Sequence, residues 1–310
     1  MPGNRELLDF FDDLFGQLAR DHLDALMKPK RPGLRINTLR IGVREGRDML
    51  LERGFRLTPL PFYEPGFRVD YHPGEMGRSI EHAAGLIYIQ EPSSMIPPVI
   101  LGPQPGERVL DLAAAPGSKT TQMSALMENR GLILANDPDR QRLKALHGAI
   151  DRLGCLNVAT CSVDGARIAK LYPTFFDRVL LDAPCSGIGT LHKNPEVMRW
   201  WSWERVAMLV RVQRRLILSA FDSLSPGGRL LYSTCTITPQ ENEGIIDYLL
   251  RERPNARAIN IRIKGISLSP GLTEWEGKSF HPSITLTRRL YPLDEPDYEG
   301  FYFALIEKTP

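Results

Sequence analysis

From Arg108 to Ser233 the chain alternates short apolar runs with amphipathic stretches of helix length, and this rhythm restricts the fold more than any other feature. The runs at 108–112, 132–137, 158–162, 178–181 and 229–233 have the aliphatic and β-branched content of strands buried on both faces. Between them, 120–128, 140–153 and 203–224 carry apolar residues at helical spacing. Strands linked through helices pair in parallel by crossovers, so the pattern predicts an α/β fold with a doubly wound sheet. Such sheets bind ligands outside the carboxyl ends of their strands. The residues that end each run are therefore the candidates for chemistry.

Ahead of this region the pattern differs. Residues 6–27 show helical periodicity stopped by Pro29 and Pro32, and strand signals at 34–40 and 66–71 flank a helical 43–53. They predict a small α+β domain over residues 1–75, leaving 76–310 to the sheet domain. Residues 87–95 read as a short apolar run followed by a proline-initiated helix. At the far end, 258–263 and 301–306 are expected to form an antiparallel pair at the sheet edge.

An apolar content of 42% with 25% charged residues fits a soluble globular protein. No apolar stretch approaches the roughly 18 residues of a membrane helix. The opening Met-Pro-Gly-Asn-Arg-Glu lacks the basic-then-apolar layout of a secretory signal. A cytoplasmic monomer without membrane contact is expected. Cysteines at 155, 161, 185 and 235 are scattered, without the paired spacing of zinc ligands, so reduced thiols and no metal are expected.

The net charge of +2 conceals local clusters. Between Lys28 and Arg56 nine basic residues face three acidic ones, an excess of six. Further on, Arg199, Arg205, Arg211, Arg214 and Arg215 surround or follow Trp200, Trp201 and Trp203, a mixture suited to phosphates and stacked bases. Solvated helix faces and a tryptophan core anchor would explain either cluster alone.

Acids end four strand runs, at Asp111, Asp137, Asp164 and Asp182. Any one of them could be a helix cap; four in succession favour adenosine binding. The turn after Asp111, Ala113-Ala114-Ala115-Pro116-Gly117-Ser118-Lys119, is built of small residues and opens a helix. Its single glycine departs from both the dinucleotide and the phosphate-loop fingerprints. Cys185 and Cys235 end two strands at the ligand edge, whereas Cys155 and Cys161 suit the role of small buried hydrophobes.

Three segments in this order carry a resemblance: Asp111-Leu112-Ala113-Ala114-Ala115-Pro116-Gly117-Ser118-Lys119-Thr120, Asp182-Ala183-Pro184-Cys185-Ser186-Gly187 and Ser233-Thr234-Cys235-Thr236. The chain resembles the RNA (cytosine-5) methyltransferases of the RsmB/RsmF/Fmu/Sun and NSUN type. Arg35-Ile36-Asn37-Thr38-Leu39, Gln90-Glu91-Pro92-Ser93-Ser94-Met95 and the closing 289–303 extend the likeness over nearly the whole chain. It implies a Rossmann-like class I methyltransferase sheet, RNA as partner, and S-adenosyl-L-methionine held by residues 113–119. It also implies ribose contact by Asp137, Arg142 in the cofactor set, adenine contact by Asp164, and Asp182 close to both cofactor and base. The family usually has Cys at 113, Gly at 118 and Asp at 299, where this chain has Ala113, Ser118 and Glu299.

The chemistry asks for the same residues. Cytosine C5 is a poor nucleophile, and adding a thiolate to C6 makes the ring an enamine able to take an electrophilic methyl group. By analogy with the family Cys235 is the nucleophile and Cys185 assists removal of the C5 proton. Lys119 or Lys193 would favour the thiolate, and Asp182, protonated or sharing a proton with N3 of the base, would neutralise the negative charge that builds in the ring. A dehydrogenase would need the missing glycines, and a non-catalytic RNA-binding module would not need Cys235. Ribosomal RNA is the first expectation for the substrate and tRNA the second.

Overall fold

The structure, a computed structural model, describes residues 4–70 and 73–310. The predicted crossover rhythm appears as five parallel strands: β5 (Arg108–Asp111), β6 (Leu132–Asn136), β7 (Val158–Cys161), β8 (Phe176–Asp182) and β9 (Leu224–Thr234), in the spatial order β7-β6-β5-β8-β9. The order reverses at β5, which therefore lies at the topological switch point. Alternate residues feed two cores. Leu110, Val179, Leu230 and Tyr232 face the helices Trp203–Asp222 and Glu243–Glu252, while Val109, Leu180 and Leu231 face the helices Pro92–Leu101 and Ser118–Leu126. Burying each aliphatic side chain contributes about 1.5–3 kcal/mol, so Leu180→Ala in so closed a layer costs about 2–5 kcal/mol.

Four strands from the small unit and one late strand complete the strand list ahead of the carboxyl-terminal region: β1 (Gly33–Ile36), β2 (Leu57–Leu60), β3 (Tyr63–Val69), β4 (Ile87–Ile89) and β10 (Ala256–Ile259). β1–β4 form a separate antiparallel sheet in the order β2-β3-β1-β4. This sheet reaches past the boundary expected at residue 75, because Leu34↔Ile89 and Ile36↔Ile87 pair across about 50 residues of chain that sequence periodicity cannot connect. Tyr71, expected to end the third strand, lies outside the described residues.

The helices Arg5–Phe15 and Ala19–Met27 do not pack on this small sheet. Their apolar stripe, with Leu7, Phe10, Phe11, Leu23 and Leu26, buries against Ile188, Leu191, Val197, Trp201 and Ile237. They therefore form a roof over the segment that follows β8.

The expected edge pair takes another position. β11 (Ser269–Pro270) pairs with β14 (Arg288–Leu290), β12 (Glu274–Trp275) pairs with β13 (Lys278–Ser279), and β15 (Phe301–Lys308) lies inside the main sheet. β15 runs antiparallel to β9 on one side, with Tyr302↔Thr234, and to β10 on the other, with Ala258↔Ile306. Phe301 to Ile306 are all buried, which a strand paired and covered on both sides requires. Among the described residues no helix is long and apolar enough to cross a membrane.

Candidate active site

β5 ends at Asp111, a buried carboxyl that accepts a 2.7 Å hydrogen bond from Thr120 Oγ1. Burial, only partly offset by Thr120 and Lys119, raises its pKa to about 7. The chain then turns through Ala113, Ala114, Ala115 and Pro116 to Gly117, which has φ +107° and starts the helix Ser118–Leu126 without a side-chain cap. A Cβ at Gly117 would lie 2.7 Å from Leu146 Cδ1, but it is the positive φ that favours glycine here. The small side chains and uncapped amides fit the adenosine ligand implied by the sequence.

Asp137, beyond the end of β6, is buried under Arg142. Its Oδ2 accepts from Ala115 N–H at 3.2 Å and lies 3.3 Å from the Arg142 guanidinium, which also donates to Ala115 carbonyl oxygen. Asp137 and Arg142 thus brace the turn that bears the small residues. Asp164 is exposed and accepts from Ala166 N–H at 3.1 Å, capping a short 3₁₀ turn.

The parallel register Asp182↔Ser233 places the ends of β8 and β9 side by side. Ser233 donates to Asp182 Oδ1 at 2.7 Å, and Lys119 Nζ donates to Oδ2 at 2.6 Å and to Ser94 Oγ at 3.1 Å. Burial works against the Lys119 charge, but Asp182, Asp111 and Cys235 outweigh it and its pKa is raised. Three residues beyond Asp182, the sulfur of Cys185 lies 3.4 Å from that of Cys235. The two loops are stitched together: Gly189 N–H donates to Cys235 carbonyl oxygen at 2.9 Å, and a Cβ on Gly189 would strike Gly300 carbonyl oxygen.

The two thiols have different neighbours. Cys185 has its pKa raised well above the ordinary thiol value by its hydrogen bond to Cys235, by burial, and by the charges of Cys235, Glu241 and Asp182. Cys235 instead acts on two ammonium groups, Lys119 and Lys193. Lys193 is itself held 2.5 Å from the buried Glu299. Burial and the Glu299 charge push Glu91 up to about 8, so at neutral pH it carries a proton. Ser93 joins the two acids, donating to Glu91 at 3.1 Å and accepting from Glu299 N–H at 2.8 Å. His192 is 3.5 Å from Glu299, yet burial with Lys193 and Lys30 nearby lowers its pKa to about 4, so it is neutral there.

Sequence reasoning missed the group that holds the Cys185 loop. Glu241, fully buried, accepts from Ser186 N–H at 2.9 Å and Ser186 Oγ at 2.5 Å, while Gln213 donates to both Glu241 and Pro184 carbonyl oxygen. The only sequence signal was an acid six residues beyond a strand-end cysteine. Two expectations need correction. Arg35 is wholly buried, donating to Gln90 at 2.9 Å and Thr121 at 2.7 Å, so it joins the small sheet to the main one rather than facing solvent. Trp201 is also buried, stacked on Phe10, whereas Arg199, Arg205, Arg211, Arg214 and Arg215 are exposed.

The chain as a whole is similar to known proteins. Residues 98–307 match the family model for the 16S rRNA methyltransferase RsmB/F, and residues 4–92 match the model for the N-terminal domain of 16S rRNA methyltransferase RsmF. The chain belongs to the RsmB/F methyltransferase family. Among its RsmB/F relatives is the tRNA (cytosine(49)-C(5))-methyltransferase of Pyrococcus abyssi, 46% identical over 91% of this chain and 90% of the relative. Another is the ribosomal RNA small subunit methyltransferase F of Escherichia coli K12, 42% identical over 93% of this chain. This chain spans 59% of that bacterial relative's length. The crystal structure of a methyltransferase homolog from Pyrococcus horikoshii superposes with a TM-score of 0.87 at 37% identity, covering 97% of this chain and 93% of that one. Of the positions that depart from the pattern expected from the resemblance, Ser118 opens its helix and Glu299 lies beside Lys193.

Proposed function

We propose that this chain is an S-adenosylmethionine-dependent RNA cytosine-C5 methyltransferase in which Cys235 adds to C6 of the target base. The observation that carries this reading is the 3.4 Å approach of Cys185 and Cys235 beside the Lys119–Asp182 pair. When bound in the turn 113–119, the cofactor supplies an electrophilic methyl group. Asp137 and Arg142, which contact that turn, and Asp164, beyond the end of β7, would hold its adenosine part.

Cys235, whose charge is felt by both Lys119 and Lys193, is the thiol we assign to the attack on C6. Asp182, carrying a proton handed over by Lys119, would donate it to N3 as the sulfur adds, leaving the ring uncharged. C5 then takes the methyl group. To release the product, Cys185 gives its proton to the departing sulfur of Cys235 and the resulting basic thiolate accepts the C5 proton. The pair finishes with one extra proton, lost to solvent. The raised pKa of Cys185 suits this order, since it is protonated before addition and strongly basic once it has given up that proton.

Ribosomal RNA is the first substrate reading, and tRNA is a second one favoured by the 46% identity to the Pyrococcus abyssi enzyme. Incubation with labelled S-adenosylmethionine and separate rRNA and tRNA pools, followed by mapping of 5-methylcytosine, should yield label at defined cytosines in one pool. Transfer to neither pool, or label outside cytosine C5, would refute the reading.

A further inference from the structure

Apart from the thiol site, a cavity of about 710 Å³ opens between the helices Trp203–Asp222 and Glu243–Glu252 and the β12–β13 hairpin. Trp203, Trp275 and Phe280 give it aromatic walls, and Arg211 and Arg214 stand on its helix side. Arg211 and Arg214 are exposed, and among the described residues neither forms an ion pair; Arg214 lies over the ring of Tyr248 at 4.9 Å. Across from them, Asp247 is already engaged by Arg251 at 2.8 Å and by His281 N–H at 2.7 Å. The opening is thus set to receive negative charge.

Trp275 and Gln240, two of the residues that line the cavity, each keep one buried side-chain polar atom, Nε1 and Oε1, without a hydrogen-bond partner in the protein. Aromatic faces for stacking and arginines for phosphate are what a single nucleic-acid strand requires. We infer that this groove holds a nucleotide of the single strand flanking the target cytosine, an inference that rests on the RNA reading above.

The groove and the Cys185 loop are linked through neighbouring residues. Gln240 precedes Glu241, the acid that fixes Ser186, and Gln213, between Arg211 and Arg214 in sequence, donates to Pro184 carbonyl oxygen at 2.8 Å. The helix that carries Arg211 and Arg214 is therefore also a support of the Cys185 loop.

Full-length protein with Arg211→Gln and Arg214→Gln together, and separately Trp275→Ala, provides the test. The arginine variant should show an RNA KM raised about tenfold with kcat kept, and a salt dependence of affinity shallower by about 0.7 for each phosphate no longer neutralised. Trp275→Ala should weaken RNA binding about tenfold, as expected when one stacking platform is removed. Arg211→Lys with Arg214→Lys should restore the salt slope, and unchanged cofactor affinity would report intact folding. Variants that fold and match the parent in KM and salt slope would overturn the groove assignment, including in favour of a protein partner there. Failure of the RNA reading itself would appear differently, as absence of methyl transfer by the parent protein.

Discussion

Cys185 and Cys235 face each other sulfur to sulfur at 3.4 Å although 50 residues separate them in the chain. The parallel pairing of β8 with β9 brings the two strand ends together, and the Gly189 and Glu241 contacts then fix the loops. Cys185 is held by burial, its hydrogen bond to Cys235 and the nearby Glu241 and Asp182 charges, while Lys119 and Lys193 both feel the charge of Cys235. The proposed division between nucleophile and proton carrier rests on this difference in neighbours.

The half-buried Glu91 predicts a pH dependence of stability. Its pKa is raised to about 8, so its contribution is greatest at low pH and is lost as pH rises through about 8. Glu91→Gln keeps the neutral form and cannot ionise. The Tm of the variant relative to the parent should climb from about pH 5 to about pH 9. Thermal melts across that range check it, and a constant or falling difference would contradict the assignment.

Arg35 predicts a separation of stability from RNA capture. Arg35→Ala empties a buried site and strands Gln90 and Thr121, costing about 2–4 kcal/mol. The exposed Arg44→Ala should stay within about 0.5 kcal/mol of the parent while weakening RNA binding at low salt. Urea unfolding combined with fluorescence anisotropy distinguishes them, and an unaffected Arg35→Ala protein would contradict the account.

For Asp137, replacement by Ala should weaken S-adenosylmethionine binding by about 1.5–3 kcal/mol through loss of a charge-assisted hydrogen bond. It also releases Ala115 N–H, its present donor. Calorimetry on the folded variant reads the change directly. Unchanged affinity would reduce Asp137 to a brace for the turn.

Much of this was legible in the sequence because it depends on local pattern. The helix over 140–153 has the expected bounds, and Asp182, Cys185 and Cys235 lie at strand ends as their apolar runs imply. The parts that were not legible depend on distant partners. In Leu34-Arg35-Ile36 the alternation puts Arg35 on the face opposite the small core, which ordinarily means solvent; Thr121 and Gln90 cover that face instead. Phe301 to Ile306 read equally well as an edge or a central strand, and only β10 and β9 on either side decide it. Glu241 had no motif of its own, since its importance comes from Ser186, 55 residues away.

The division of labour between the thiols is tested most directly by mixing labelled RNA and S-adenosylmethionine with the Cys185→Ala and Cys235→Ala proteins and running denaturing gels. Without Cys235 no sulfur adds to C6, so neither methylated RNA nor a protein–RNA adduct should form. Without Cys185 addition and methylation proceed but elimination stalls, so a denaturation-resistant adduct should accumulate. Adduct retained by Cys235→Ala and absent from Cys185→Ala would contradict the account and make Cys185 the nucleophile.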